Sequence, residues 1–302
     1  MKKFKEKLSG RVFFALALSS ISALALITVF IIVQGVPIIA EVGFVNFIFG
    51  MSWAPSHGEY GIFPMIIGSV TVTLGAAILG VPVGLCCAIF LSEFAPARLR
   101  NLFRPAIQLL AGIPSVVYGF WGLLFIVPFI RNVLGGPGLS ILAGAVILAI
   151  MILPTVISIS EVSILALPRQ YKEGALALGL THWQTIRSVI LPSAKSGIVA
   201  AVILGVGRAI GETMAVNMIA GNSPAMRMPH EIFSSIRTLT ANIVIEMSYV
   251  EHGSLHYGAL IATGVVLFIF IMIINLLLSI LNKDKDKRGR KKKQAAAELE
   301  TK

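Results

Sequence analysis

Acidic side chains are scarce in this chain: 14 aspartates and glutamates stand among 302 residues, against 25 lysines and arginines, and charged residues total only 13%. So little charge, beside 56% hydrophobic residues, excludes an ordinary soluble domain and points to an integral membrane protein. Cysteine is nearly missing too. Cys86 and Cys87 are adjacent within an apolar run, which allows neither a disulfide framework nor metal-ligand spacing. They read as packing residues. There is no G-x-x-x-x-G-K-[ST] pattern, so the chain carries no phosphate cradle for ATP. Neither paired carboxylates nor a nucleophile with a nearby base can be found, which argues against an enzyme. No internal repeat is visible, as the two similar halves of many self-sufficient secondary transporters would require. The net charge of +11 has no aromatic platform or recognition motif beside it, so a nucleic-acid partner is not expected.

What the chain does have is long oily runs. Crossing about 30 Å of hydrocarbon takes roughly 20 mostly apolar residues, and six runs qualify: 12–34, 64–92, 103–130, 141–160, 197–220 and 257–281. The first is too long for a signal-peptide core and has no clear cleavage site, so it reads as a retained helix. Pro82, Pro105, Pro114 and Pro154 interrupt several runs, which is tolerable where neighbouring helices satisfy the freed backbone groups. The expected fold is therefore all-α, a polytopic bundle of six transmembrane helices. Basic residues set its orientation: the N-terminal segment, the second and fourth connections and the tail hold 21 of the 25, which places both termini in the cytoplasm. The expected divisions are an N-terminal helix with an outward loop (1–63, the loop being 35–63), a membrane core (64–281) containing an inward loop (161–196), and a basic tail (282–302). The tail reads as disordered and drawn to anionic membrane lipid.

The second outward connection, 221–256, carries Ile232, Ile236, Leu239, Ile243 and Met247 at helical spacing. This predicts an interfacial helix, or a re-entrant one serving as a gate or docking surface. His252 and His256 lie one turn apart beside Glu251, yet two histidines without a third ligand fall short of a zinc site. No metal is expected.

The inward loop is locally specified. Pro168 can open a short helix and Gly179 can end it; Thr181 and Gln184 fit a capping box for a second helix, which Pro192 is expected to close. From Pro168 to Leu178 the first helix would be a rod of roughly 16 Å. Its sequence resembles the EAA loop of ABC importer permeases, on Glu173-Gly174-Ala175, then Gly179, then Ile190-Leu191-Pro192 at the family's spacing. Gly174 stands where that family has alanine, and Val189 where it has isoleucine. The alternative is a plain cytoplasmic linker. The resemblance implies that Glu173, Gly174, Ala175, Gly179, Leu191 and Pro192 form the element that docks on a cytoplasmic ATPase.

The fifth run holds "GVGRAIGETMAV". Arg208 falls near its midpoint, where insertion costs at least about 2.5 to 3.5 kcal/mol, so it should face a partner, a cavity or a pathway. In a continuous helix Glu212 lies one turn on and on the same face, close enough to neutralise it partly. Gly207 and Gly211 line a neighbouring small-residue stripe. A structural ion pair fixing helix register is one reading; the other is that a guanidinium suits phosphate or carboxylate oxygens. "RAIGETMAV" at 208–216 and "AGIPSVVYG" at 111–119 resemble the permease of the phosphate-specific ABC importer. That resemblance covers most of the chain from about residue 60. It implies a type I ABC importer permease-like fold in a bacterial-type inner membrane. It also implies a second related permease, two ATPase subunits carrying ATP and magnesium, and an extracytoplasmic phosphate-binding protein. Arg208, Glu212 and Thr213 would line the translocation path, with Ser115 and Tyr118 offering hydroxyls, unless those two satisfy groups freed by Pro114. Another oxyanion, sulfate or molybdate, is the nearest rival cargo.

Overall fold

A computed structural model describes residues 2–223 and 231–276, with side chains from Arg11 onward; the tail 282–302 lies outside them. In chain order the helices are α1 (Lys2–Val42), α2 (Phe44–Phe49), α3 (Phe63–Ile89), α4 (Ala97–Gly112), α5 (Ser115–Trp121), α6 (Val127–Val133), α7 (Ile141–Leu165), α8 (Arg169–Ala177), α9 (His182–Thr185), α10 (Leu191–Ser193), α11 (Lys195–Gly211), α12 (Met214–Ile219) and α13 (Leu239–Met247). A last helix, α14, runs Leu255–Leu276. Two short antiparallel strands, β1 (Trp53–Ala54) and β2 (Glu59–Tyr60), form a hairpin between α2 and α3. Among the described residues five helices are long and apolar enough to cross a membrane, or six if the bent pair His182–Ser193 and Lys195–Gly211 counts as one span.

Several boundaries differ from the sequence expectation. The helix of the first run continues through Gly35 and Pro37 to Val42, so the supposed loop at 35–63 holds its last turns, α2 and the hairpin. The run at 103–130 is two elements: an amphipathic α4, and a span at Ser115–Val133 built from α5, a π turn and α6. In the connection at 221–256 the described residues are helical only at Leu239–Met247 and at Leu255 and His256, where α14 begins. Ile236 instead bridges to Gly221, and Ile232 also lies outside the helix. The run predicted to end at 281 is described only to Leu276.

Among the described residues three π turns, Phe90–Phe94, Gly122–Ile126 and Ile186–Ile190, each end two residues before a proline: Pro96, Pro128 and Pro192. Proline cannot donate an N–H and its ring crowds the preceding turn; a locally wider turn accommodates both faults. Pro192 therefore does not close the second helix of the inward loop. The helical path continues to Ser193 and bends by 70° into α11.

By its contacts the chain divides into two compact units. The first joins residues 1–63 to 242–268. Within it α1 is exposed along its most apolar stretch, as expected of a helix facing lipid, and its end near Gly35 and Ile38 packs on Val265 and Gly258. Buried Glu246 accepts a hydrogen bond from Trp53 Nε1 (2.8 Å) and pairs with His256 Nε2 (2.7 Å). His256 thus has a carboxylate partner, while His252 packs edge-on against Tyr257. Among the described residues no cluster of three His, Cys, Asp or Glu side chains gathers.

The second unit spans 64–241 together with residues from 269. Its centre is α7, with 67% of its most apolar stretch buried against 28% for the span beginning with α3. A helix apolar on all sides belongs in the middle of a bundle. Ile147, Leu148, Met151 and Ile152 of α7 meet Val72 and Ala76 of α3, Tyr118 of α5, and Val216 and Ile219 of α12.

Candidate functional site

Two breaks in the helices of the second unit lie together. The first is at Ile113 and Pro114, both extended (ψ 128° and 141°), between α4 and α5. A helix break packed within a bundle must satisfy its own backbone groups. Pro114 has no N–H to offer, and the buried Tyr118 hydroxyl instead donates to Leu110 O at 2.7 Å. Tyr118 therefore holds the break, the alternative that sequence left open. Ser115 opens α5, half-buried. Tyr118→Phe leaves that carbonyl without its main donor and is expected to lower the stability of the solubilised chain by about 1–3 kcal/mol, read as a fall in thermal midpoint.

The second break separates α11 from α12. Here the fifth run departs from its sequence reading: the helix ends at Gly211, and Glu212 is extended (φ −71°, ψ 131°). Arg208 and Glu212 are consequently not one turn apart on a shared helix face. The Glu212 carboxylate turns forward, accepting from Ala215 N at 3.3 Å, so it caps α12 rather than neutralising Arg208. Thr213 Oγ1 donates back to Gly211 O (3.3 Å), and Thr240 Oγ1 donates to Glu212 O (3.1 Å). The two broken segments meet at Gly119, where an added Cβ would sit 3.0 Å from the Ala215 Cα; only glycine allows α5 and α12 this close.

Arg208 is the residue left over. It lies in the last turn of α11, about 20 Å along the helix from Lys195 at 1.5 Å per residue, where the dipole favours a cation. It is exposed, and among the described residues its guanidinium makes no hydrogen bond or ion pair. The Tyr118 phenol is an electrostatic neighbour. Leu204, Arg208 and Gly211, at helical spacing, form an exposed stripe on α11. A fixed charge thus stands in an apolar face.

A second surface forms at the opposite end of α11. Pro168 and Gly179 bound α8 as the sequence predicts, Gly179 in the left-handed region at φ +86°. Thr181 and Gln184 make both bonds of the capping box. Ala175 is buried, whereas Glu173, Gly174 and Gly179 are exposed and Leu178 is 86% exposed. Behind this hairpin Ile164, Ile186, Ile190 and Ala194 make a small core, with Leu191 packed against it and Pro192 exposed.

Sequence reasoning missed the ion pairs of this end. Glu93, in the π turn after α3, meets Lys172 Nζ at 2.6 Å and His182 Nε2 at 3.4 Å. Buried Glu161 of α7 meets Arg104 of α4 at 2.8 Å. The signal was scarcity itself: Glu93 is the single acidic residue between Glu59 and Glu161. An isolated carboxylate at the end of an apolar run needs a cation.

Comparison with known proteins adds the following. A family model described as binding-protein-dependent transport system inner membrane component matches residues 80–287. The chain is 41% identical over 260 residues to the probable ABC transporter permease protein YqgH of Bacillus subtilis, covering 84% of each. It is 36% identical over 244 residues to the phosphate transport system permease protein PstC of Mesorhizobium japonicum, covering 74% of each. In structure it resembles the MetNI methionine ABC transporter in an inward-facing conformation, with a TM-score of 0.58 at 20% identity over 72% of this chain and 93% of that one. It also resembles a bacterial transporter importing the acidic polysaccharide alginate, with a TM-score of 0.60 at 13% identity over 94% and 99%.

Proposed function

Since the chain belongs to the binding-protein-dependent transport system inner membrane components, a family of ABC transporter permeases whose ATPase is a separate subunit, we propose that the cargo it passes inward is inorganic phosphate. The observation that carries this reading is the exposed Arg208 guanidinium in an apolar stripe. Lipid is a poor neighbour for it, because a charge at mid-depth costs at least about 2.5 to 3.5 kcal/mol. A water-filled route that admits an anion removes that cost, and the planar donors fit oxygen pairs of a tetrahedral anion. The relatives bearing the phosphate-permease name support the choice of phosphate among oxyanions.

In this reading a second, related permease covers the apolar stripe, so that Arg208 lines a path between the two subunits. Glu212 and Thr213 shape the adjoining backbone break, and Ser115 and Tyr118 the facing one. Of two cytoplasmic ATPase subunits, holding ATP and magnesium, one docks on the exposed face of α8 through Glu173, with Gly174, Ala175, Gly179, Leu191 and Pro192 setting the hairpin's form. A phosphate-binding protein delivers cargo outside. Both termini lie inside, where the basic tail meets anionic lipid. Vesicles containing the full complex should accumulate labelled phosphate and exclude sulfate. Uptake of sulfate or molybdate alone would make the chain a permease for that oxyanion instead.

A further inference from the structure

One largely covered carboxylate ties the α8–α9 hairpin to the turn that follows α3. Glu93 is only 9% exposed, and it reaches both helices: Lys172 on α8 at 2.6 Å and His182 on α9 at 3.4 Å. Phe94 packs against the His182 ring at a tilt of 37°, with centroids 5.0 Å apart. The π turn bearing Glu93 is gripped from its other side by Arg100 of α4, whose Nε donates to Leu91 O at 2.9 Å and whose Nη2 reaches Ser92 O and Ala95 O at 3.3 and 3.4 Å. From there α4 leads into the break at Ile113 and Pro114, which the Tyr118 hydroxyl spans by donating to Leu110 O.

We propose that Glu93 is the positioning residue that carries movement of the α8–α9 hairpin into α3 and α4, and so to the broken helices. This rests on the reading of α8 as the ATPase-docking helix. A packed hairpin by itself can slide against its neighbours. A carboxylate shared by both of its helices and withdrawn from water resists sliding, because separating the pair leaves a poorly solvated charge. The turn that follows α3 then moves with the hairpin, and Arg100 hands the displacement to α4.

The test is a double-mutant cycle on the complete complex in proteoliposomes, reading phosphate imported per ATP hydrolysed. Glu93→Gln should retain its ATPase subunits, since the exposed face of α8 is untouched, yet the ratio should fall about tenfold. Lys172→Gln should lower it similarly, and the double variant should be no worse than either single one. A wild-type ratio in Glu93→Gln, or losses that simply add, would overturn the proposal. If Glu93→Gln does not assemble, Lys172→Gln decides alone, and a wild-type ratio there overturns it. Unaltered protein in the same vesicles keeps the two questions apart: no phosphate import by it counts against the cargo, whereas a change confined to the ratio concerns Glu93.

Discussion

Arg208→Gln is expected to bring phosphate uptake down to the background of empty vesicles while assembly with the ATPase subunits is kept. The exposed guanidinium makes no hydrogen bond or ion pair among the described residues, so its removal strands no partner and opens no buried cavity. What is lost is attraction. At an effective permittivity near 20, a unit charge about 4 Å from an anion contributes about 4 kcal/mol, roughly a thousandfold at 1.4 kcal/mol per decade. Arg208→Lys keeps the charge but not the planar fork, and should fall between the two. Wild-type uptake by the glutamine variant would make Arg208 a residue of subunit packing alone.

Glu173→Ala is expected to have the next largest effect, at a different step. Its side chain is exposed on α8 while Ala175, two residues on, supplies the buried contact. The chain should therefore fold with its stability within about 0.5 kcal/mol of normal, as surface changes usually do. Stimulation of ATP hydrolysis by the loaded binding protein, and uptake with it, should drop by at least about tenfold, as for a central interface residue. Unchanged stimulation would remove Glu173 from the docking surface.

The contrast between the two regions explains what could be read from sequence. The α8–α9 hairpin was legible nearly to the residue because its determinants are local: Pro168, the left-handed Gly179, and a capping box whose members are three residues apart. The break after α11 was not. Apolar composition over 197–220 hides it, since hydropathy is blind to whether a span is continuous. The signals were present as a glycine that can stop a helix, Gly211, followed by polar Glu212 and Thr213, but mid-span they compete with the cost of unsatisfied backbone groups. That cost is met by Thr240, 28 residues away in sequence, which no local pattern foretells. Likewise Tyr118 reaches Leu110 only because Pro114 frees its carbonyl, and Glu93 finds Lys172 across 79 residues. Pairing at that distance is a product of the bundle, so local spacing pairs Arg208 with Glu212 whereas the fold turns Glu212 toward Ala215 N.

The central claim is that Arg208 borders a route open to water, and thiol labelling at that position tests it most directly. With Cys86 and Cys87 replaced by serine, Arg208→Cys in the assembled complex should react with charged, membrane-impermeant reagents from one side of the membrane when the ATPases are nucleotide-free. It should react from the other side when they are trapped with ATP, and phosphate should slow both reactions. If the introduced thiol stays unreactive from both sides in every nucleotide state, the guanidinium is sealed within protein and the proposed route does not pass it.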